Sequence, residues 1–337
     1  MSIRAYAAAD AGAALSEITI EPGELRADQV EVAVEHCGIC HSDLSVLNNE
    51  WKNSRYPLVP GHEAVGRVVA VGAAVTSLRI GQRVGVGWYA SSCGHCRACT
   101  AGDAHLCRAA EATILGRPGA FAERVRVSAR WAVPLPDALE HASAGPLFCG
   151  GITVFSPLVE FGVKPTDRVG VLGVGGLGHL AVQFLNHWGC EVFAFTRRMG
   201  NEAEIRALGA HHVIASDDRA RLKSLSGSLD FLLVTLNVAQ DWTSWLSLLA
   251  ARGRMHVVGA ILEPMQIPAF ALMPGQKQIS ASPLGSPATL QTMLDFCARH
   301  RIAPIVERYP MSRINDALAH LAAGKARFRI VLDADFA

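Results

Sequence analysis

The pattern of hydrophobic and polar positions divides the chain into a strand-rich part and a part in which strands alternate with helices. Between residues 25 and 150, short β-branched runs are separated by Gly and Pro, which is typical of strands joined by turns. From about residue 165, apolar runs of strand length alternate with runs of helical periodicity. The predicted strands of this second part are residues 168–172, 191–196, 230–235 and 254–259, and the predicted helices are residues 177–188, 201–208, 241–250 and 287–300. Such alternation predicts βαβ units and a parallel sheet.

The last part of the chain returns to a strand-like pattern, with a predicted strand at residues 328–332. We therefore predict an α/β protein in which a doubly wound domain is inserted into a β-rich domain. The β-rich domain is expected to comprise residues 1–152 and 298–337, and the inserted domain is expected to comprise residues 153–297.

A glycine-rich loop lies where the first predicted strand of the inserted domain meets its helix. Its sequence is Gly173-Val-Gly175-Gly176-Leu177-Gly178. In a G-x-G-x-x-G loop the first Gly permits a tight turn, the second lets a pyrophosphate approach the backbone, and the third lets helix and strand pack closely. Free N–H groups at the start of the helix would bind the pyrophosphate. This context favours a dinucleotide site over a glycine-rich corner without a ligand.

The residues expected to contact the 2′ position of the cofactor end the second predicted strand. The sequence there is Thr196-Arg197-Arg198, and no acidic residue is present to bind a free ribose diol. Guanidinium groups match the geometry of a phosphate. The sequence therefore predicts NADP(H) as the cofactor, with a solvated loop as the alternative role of each arginine.

Composition and charge narrow the functional classes. Half of the 337 residues are hydrophobic, which excludes intrinsic disorder. A formal net charge of +1 gives no electrostatic case for a nucleic acid or an anionic membrane as partner. No run reaches the ~18 uninterrupted apolar residues of a transmembrane helix, and residues 1–14 lack the basic-then-apolar order of a secretory signal. We expect a cytoplasmic protein that acts on small molecules.

The nine cysteines are an odd number in a chain too long for a small disulfide-stapled scaffold, so we expect reduced thiols. Four of them, Cys93, Cys96, Cys99 and Cys107, lie on one predicted loop. Four thiolates complete the tetrahedral coordination of a structural zinc ion. An iron–sulfur cluster is disfavoured because the last gap is long and no Pro follows Cys107.

A second set of residues with metal-binding or redox chemistry is dispersed along the β-rich domain. It includes Cys37, Cys40, His62, Glu63 and Cys149. Spacing alone does not decide between a second metal site, a Cys37–Cys40 redox pair and a histidine with a structural role.

The order of these motifs resembles that of the zinc-dependent medium-chain alcohol dehydrogenases. The strings that carry the resemblance are Cys37-Gly-Ile-Cys-His-Ser-Asp43, Pro60-Gly-His-Glu63, the four-cysteine loop, Gly145-Pro-Leu-Phe-Cys-Gly-Gly-Ile-Thr153 and the loop from Gly173 to Gly178. The resemblance covers nearly the whole chain. It is most evident for the cinnamyl alcohol dehydrogenase branch and, within it, for bacterial NADP(H)-dependent aldehyde reductases of broad substrate range. It implies a GroES-like catalytic domain, a Rossmann cofactor domain and the interconversion of aldehydes and primary alcohols, as in the alcohol dehydrogenase (NADP+) class.

The resemblance also implies roles for individual residues. Cys40, His62 and Cys149 match the ligands of a catalytic zinc ion, and Glu63 matches a carboxylate that can enter the zinc sphere. The four-cysteine loop matches a structural zinc site, so two zinc ions per chain are expected. Asp43 is expected to orient a ligand. The other implied cofactor contacts are His41, Thr153 and Val258.

The resemblance leaves the proton route open. In such an enzyme zinc acts as a Lewis acid on the carbonyl oxygen, and the nicotinamide supplies the hydride. Ser42 resembles the hydroxyl residue that begins the family's proton relay, but Ser45 stands where many relatives have a histidine. The relay would then end on water, on the cofactor ribose or on His41, so His41 is a second candidate for proton transfer.

Large apolar side chains are candidates for a substrate pocket. They are Trp51, Trp88, Ile114 and Phe270, and they favour hydrophobic aldehydes over sugar alcohols without ranking aliphatic against aromatic ones. The resemblance implies a homodimer, and the reduced state of the cellular NADP pool favours aldehyde reduction. Two rival interpretations are a zinc-free quinone or enone reductase and a non-catalytic NADP(H)-binding protein. Neither requires the two sets of metal-ligand residues.

Overall fold

The computed structural model describes residues 2–197 and 199–336. The chain forms two compact units, one made of Met1–Ile152 with Leu284–Ala337 and the other of Thr153–Pro283. The sequence pattern places the second boundary later, after residue 297, because it continues the strand–helix alternation through the helix Pro287–His300. In the structure that helix belongs to the first unit, where it packs against the strand Ala132–Pro134.

The strands are β1 (Ile3–Ala7), β2 (Ser16–Ile20), β3 (Gln29–Ile39), β4 (Ala64–Val71), β5 (Arg83–Val86), β6 (Tyr89–Ser91), β7 (Glu111–Ala112), β8 (Arg124–Ser128), β9 (Ala132–Pro134), β10 (Arg168–Leu172), β11 (Glu191–Thr196), β12 (His212–Ala215), β13 (Leu229–Val234), β14 (Leu249–Val257), β15 (Gln278–Ala281), β16 (Val306–Pro310) and β17 (Arg329–Asp333). The helices are α1 (His41–Leu47), α2 (Arg97–Thr100), α3 (Gly150–Glu160), α4 (Gly178–Trp188), α5 (Glu202–Ala207), α6 (Arg219–Ser224), α7 (Trp242–Ser247), α8 (Pro287–His300) and α9 (Ile314–Ala322).

The first unit is built on a mixed sheet with the strand order β16-β17-β3-β4-β5-β9, and β8 also pairs with β3. Strand β3 is the long central element because it pairs with β4, β8 and β17. Its Val30 and Val32 are fully buried in a core that includes Ile314 of helix α9. Each such side chain stabilises the fold by roughly 1.5–3 kcal/mol. The end of β3 leads directly into the segment that contains Cys40.

The second unit is a parallel sheet with the strand order β12-β11-β10-β13-β14-β15. The predicted doubly wound α/β architecture is therefore confirmed. The strand order reverses between β10 and β13, and ligands of such sheets bind in the crevice at the carboxyl ends of the strands near this point. None of the helices in residues 2–197 and 199–336 combines the length and the hydropathy needed to span a bilayer.

Candidate functional site

Four side chains from three separate segments of the sequence meet within the first unit. They belong to Cys40, His62, Glu63 and Cys149, and one ligand atom from each lies within 4.8 Å of the others. The Sγ atoms of Cys40 and Cys149 are 3.9 Å apart. A tetrahedral zinc ion with Zn–S distances of ~2.3 Å separates its sulfur ligands by ~3.8 Å, so the spacing of the two sulfurs fits a shared zinc ion.

Two polar atoms of this cluster are buried without a hydrogen-bond partner in the described part of the chain. They are His62 Nε2 and Glu63 Oε2, and both residues are 0% exposed. A buried polar atom without a partner is destabilising and therefore uncommon in native structures. A cation bound between these atoms and the two sulfurs would satisfy both. This donor set of thiols, imidazole and carboxylate is the type that binds zinc.

The carboxylate of Asp43 fixes the geometry of the cluster. Asp43 lies in helix α1, whose first residue follows Cys40, and its side chain is 0% exposed. Its Oδ2 accepts the backbone N–H of Cys40 at 2.9 Å, and its Oδ1 accepts the backbone N–H of Gly61 at 2.9 Å. Oδ1 also lies 3.0 Å from His62 Nδ1. With the ring proton on Nδ1, the lone pair of Nε2 is left for a metal ion.

Glu63 is held by its backbone and by a buried counter-charge. Its carboxylate forms an ion pair with Arg329, the first residue of β17, whose side chain is only 5% exposed. The backbone N–H of Gly38 donates to the carbonyl of Glu63 at 3.0 Å. A Cβ at position 38 would lie 2.0 Å from Glu63 Oε2. The absence of a side chain at Gly38 therefore leaves room for the Glu63 carboxylate.

The buried groups of the cluster shift one another's pKa values. The hydrogen bond from the Cys149 thiol lowers the pKa of Cys40 well below its ordinary value, although burial opposes this, and the same bond raises the pKa of Cys149. Burial alone would lower the pKa of His62, but the charge and hydrogen bond of Asp43 raise it well above its usual range. Burial raises the pKa of Glu63, against the opposing charge of Arg329. The thiolate form is therefore favoured at Cys40.

The four-cysteine loop forms a second cluster within the first unit. One ligand atom from each of Cys93, Cys96, Cys99 and Cys107 lies within 4.8 Å of the others. The Sγ atom of Cys93 is 3.9 Å from that of Cys99 and 3.6 Å from that of Cys107, again close to the ~3.8 Å of tetrahedral zinc thiolates. Hydrogen bonds from the backbone N–H groups of His95 and Cys96 lower the pKa of Cys93 to about 6. The loop therefore offers a thiolate near neutral pH.

Cys37 is not part of either cluster. It is fully buried in β3, its Sγ lies 3.6 Å from the carbonyl oxygen of Gly38, and burial raises the pKa of its thiol well above the ordinary value. A thiol in this state reacts slowly because the thiolate is the reactive form. The structure therefore gives no support to a Cys37–Cys40 redox pair.

The residues considered for proton transfer differ in exposure. Ser42 is half-buried, and its Oγ lies 3.7 Å from Cys40 Sγ. Ser45 is buried one turn further along helix α1, whereas His41 is exposed at its first position. Within the first unit, Ser42 is thus the hydroxyl group beside the candidate metal ligands.

Apolar side chains cover one side of His62. The rings of His62 and Trp88 meet edge to face with centroids 4.9 Å apart, and Trp51 contacts Trp88 at 5.7 Å. Ile114 is fully buried in the same apolar cluster. Three of the four predicted pocket residues therefore lie together next to a candidate ligand. The fourth, Phe270, lies in the second unit and is 80% exposed.

The glycine loop in the second unit has the geometry of a dinucleotide-binding loop. Gly173 has φ +95°, a conformation that favours glycine, and a Cβ on Gly178 would lie 2.0 Å from the carbonyl oxygen of Gly173. A Cβ on Gly175 would meet nothing within 4 Å, so the backbone there is open to a ligand. Gly176 and Leu177 complete the turn before helix α4. These features match the three roles of glycine in a pyrophosphate-binding turn.

The other predicted cofactor residues lie at several places in the second unit. Thr196 is the buried last residue of β11, and Arg197 follows it with an exposed side chain. Val258 directly follows β14, at the same edge of the sheet, and Thr153 lies in helix α3. Arg198 lies outside the described residues.

Sequence reasoning assigned no role to Arg329 or Gly38. The apolar strand that contains Arg329 begins with this charged residue, and a charge in a buried strand calls for a partner. That signal was available in the sequence, but the partner's identity depends on the pairing of β17 with β3.

Comparisons with known proteins agree with this geometry. A family model described as "Alcohol dehydrogenase GroES-like domain" matches residues 26–137, and one described as "Zinc-binding dehydrogenase" matches residues 176–299. The chain is 51% identical to the aldehyde reductase AdhA of Synechocystis sp. over 98% of both chains. It is 38% identical to probable cinnamyl alcohol dehydrogenase 8A of Oryza sativa, over 97% of this chain and 94% of the relative.

Solved structures show the same fold. A cinnamyl alcohol dehydrogenase from Sorghum bicolor, SbCAD4, superposes with a TM-score of 0.95 and 35% identity, over 99% of this chain and 98% of that chain. A cinnamyl alcohol dehydrogenase from Helicobacter pylori, solved in complex with NADP(H), has a TM-score of 0.91 and 27% identity over the same shares.

Proposed function

Because the chain belongs to the zinc-dependent medium-chain alcohol dehydrogenases, we propose that it is an NADP(H)-dependent aldehyde reductase with its catalytic zinc ion held by Cys40, His62 and Cys149. Oxidoreduction between alcohols and aldehydes is the activity that follows from the family. The cofactor preference, the direction of the reaction and the set of zinc ligands are the parts that we propose. The observation that carries it is the buried cluster in which His62 Nε2 and Glu63 Oε2 face two sulfurs without a protein partner.

The chain's own residues hold the zinc ligands in place and supply a proton. When bound, zinc supplies Lewis-acid polarisation of the carbonyl oxygen, and the nicotinamide supplies the hydride. Asp43 holds the His62 ring in one tautomer and keeps Cys40 in place. Glu63 serves as an additional carboxylate ligand while substrate exchanges, and its ion pair with Arg329 holds it in place. Ser42 Oγ, beside Cys40, holds the proton that the product oxygen requires.

The proposed cofactor preference rests on the end of β11. Arg197 is exposed there, Thr196 adds a hydroxyl group, and no acidic residue follows the strand to bind a free ribose diol. The Helicobacter pylori relative was solved with NADP(H), which supports the same choice. We assign the pyrophosphate to the loop from Gly173 to Gly178 and further cofactor contacts to Thr153, Val258 and His41.

The proposed substrates are apolar aldehydes. Trp88 packs against His62 and is itself contacted by Trp51, so the protein presents apolar surface beside the candidate ligands. The relatives are named for aldehyde and cinnamyl alcohol substrates, which is consistent with this surface. Reduction is the proposed direction.

We further propose two zinc ions per chain, the second held by Cys93, Cys96, Cys99 and Cys107, and a homodimer as the working form. All nine cysteines are free thiols, so the proposed setting is a reducing compartment such as the cytoplasm.

The test is the oxidation of NADPH, beside NADH, by zinc-loaded protein supplied with a medium-chain aliphatic aldehyde or cinnamaldehyde. Fast turnover with NADPH and little with NADH supports the proposal. Cys149→Ala should abolish turnover and lower the zinc content, whereas Cys297→Ala, which removes a buried thiol outside both clusters, should change neither. Equal use of NADH would contradict the cofactor assignment alone. Absence of turnover in protein that holds both zinc ions would favour polyol substrates or a non-catalytic role.

A further inference from the structure

A third group of potential metal ligands lies in the first unit. Glu35, His36 and His141 each place one ligand atom within 4.8 Å of the others, and all three side chains are partly exposed. The two imidazole rings have centroids 5.5 Å apart and are tilted by 47°. None of these residues belongs to the two clusters described above.

The ring of His36 is oriented as that of a metal ligand. His36 in β3 and Asp333 in β17 are cross-strand partners, and His36 Nδ1 lies 2.7 Å from Asp333 Oδ1. A ligating histidine commonly donates its other ring N–H to a carboxylate, which fixes the tautomer and makes the free nitrogen more basic. Asp333 therefore leaves the lone pair of His36 Nε2 for another partner.

The ring of His141 is available for the same ion. Within the described residues, no hydrogen bond from the protein reaches its ring nitrogens. Burial and the nearby charge of Arg83 lower the pKa of His141, which favours the uncharged ring that a metal ion binds. Two imidazole rings side by side are suited to zinc, nickel and copper.

Glu35 supplies the negative charge, although two arginines already contact it. Its Oε1 accepts Arg67 Nε at 3.0 Å and its Oε2 accepts Arg83 Nε at 3.2 Å. Each carboxylate oxygen has two lone pairs, so one remains on each after these bonds. The two arginines hold the carboxylate of Glu35 in place but repel a cation, and Arg308, which lies 2.8 Å from Asp333 Oδ1, offsets part of the attraction that Asp333 exerts on a cation. The balance of these positive and negative charges indicates a site that binds a metal ion more weakly than a cluster of thiolates does.

We propose that Glu35, His36 and His141 form a surface binding site for a divalent transition-metal ion, with water completing the coordination. This assignment is independent of the proposed function, because none of the three residues takes part in it.

The experiment uses the full-length, zinc-loaded protein and nickel ions as the probe. The protein is dialysed to equilibrium against nickel chloride, and nickel and zinc are counted separately by mass spectrometry. His36→Gln and His141→Gln remove one imidazole each. The control His212→Gln removes a partly exposed histidine that contacts a carboxylate, that of Glu191, elsewhere in the chain.

Wild type and the His212 variant should each bind one nickel ion more than either site variant, with zinc content equal in all four proteins. Nickel should also raise the unfolding temperature of wild type and control but not that of the site variants. Equal nickel binding in all four proteins would overturn the proposal, as would nickel uptake by wild type that is matched by loss of zinc. The two site variants alter different segments, so circular dichroism can exclude a folding defect in each independently.

Discussion

Replacing Asp43 by Asn should loosen the candidate catalytic metal centre. The carboxylate accepts three N–H groups, from Cys40, Gly61 and His62, and it is 0% exposed. An amide of the same shape has one acceptor oxygen. If the NH2 group takes the Oδ2 position it faces the N–H of Cys40, and if it takes the Oδ1 position it faces both other donors. At least one hydrogen bond to a charged group is therefore lost.

The magnitude can be obtained in two ways. A hydrogen bond to a charged group contributes about 1.5–3 kcal/mol, so the free energy of unfolding should fall by at least this amount. Changes to the partner of a ligating histidine typically cost about 10- to 100-fold in metal affinity, which corresponds to about 1.4–2.8 kcal/mol. The two ranges overlap. The affected ligand is His62, so the metal affinity should fall at the cluster that contains Cys40. The four-cysteine loop should keep its zinc ion.

The assay is zinc retention under increasing concentrations of a chelator, together with urea unfolding of zinc-loaded protein. The Asp43→Asn protein should release one zinc ion at a chelator concentration about 10- to 100-fold lower than wild type does, while the second ion is released at the wild-type concentration. Asp10→Asn, at an exposed position in the same unit, is the control and should behave as wild type. If Asp43→Asn kept wild-type zinc affinity and stability, the idea that Asp43 orients the ligands would be refuted.

Three further predictions concern other parts of the structure. Gly38→Ala should lower the free energy of unfolding by about 1–3 kcal/mol, because its Cβ would lie 2.0 Å from a buried carboxylate oxygen. Gly200→Ala, at an open position, should leave this free energy unchanged. Urea unfolding measures both variants. In steady-state kinetics, Arg197→Glu should raise KM for NADPH about 10- to 100-fold without raising KM for NADH. Arg130→Glu, at an exposed site in the other unit, should leave the ratio of these two KM values unchanged. Burial and a neighbouring arginine lower the pKa of His256 from 6.5 to about 4, so the unfolded state takes up a proton before the folded state does as the pH falls. The free energy of unfolding should then decrease by up to about 3 kcal/mol between pH 6.5 and pH 4, and His256→Gln should flatten that dependence in denaturation series; an unchanged slope would refute the assignment.

The elements that the sequence predicted most accurately are those with an unambiguous hydrophobic pattern. The bounds of β10, β11 and α8 agree with the predicted ranges because each combines a continuous or periodic apolar run with clear end signals. Strands β12 and β15 were not predicted. Both lie at the edges of the parallel sheet, where a strand can be short and half polar, as in the Gln-Ile-Ser-Ala sequence of β15.

The features of the candidate site also differ in how far the sequence predicts them. The candidate ligand residues were predicted from motifs and a family resemblance, because spacing alone does not identify a dispersed set. The contact between Glu63 and Arg329 joins residues 266 positions apart, and it exists only because β17 pairs antiparallel with β3. The space around Glu63 likewise depends on Gly38 having no side chain. Such relations follow from strand register, which no local pattern encodes.

The pairing of β17 with β3 also sets an order of events during synthesis. Strand β17 is the last strand in chain order, and its Ile330 pairs with Ile39 of β3. The continuous unit Thr153–Pro283 leaves the ribosome in one piece and can fold while the sheet of the other unit still lacks a strand. Until β17 arrives, the nascent chain presents Glu63 without its guanidinium partner. The candidate metal centre therefore cannot be completed until β17 has been synthesised, by which time the unit Thr153–Pro283 is available to fold.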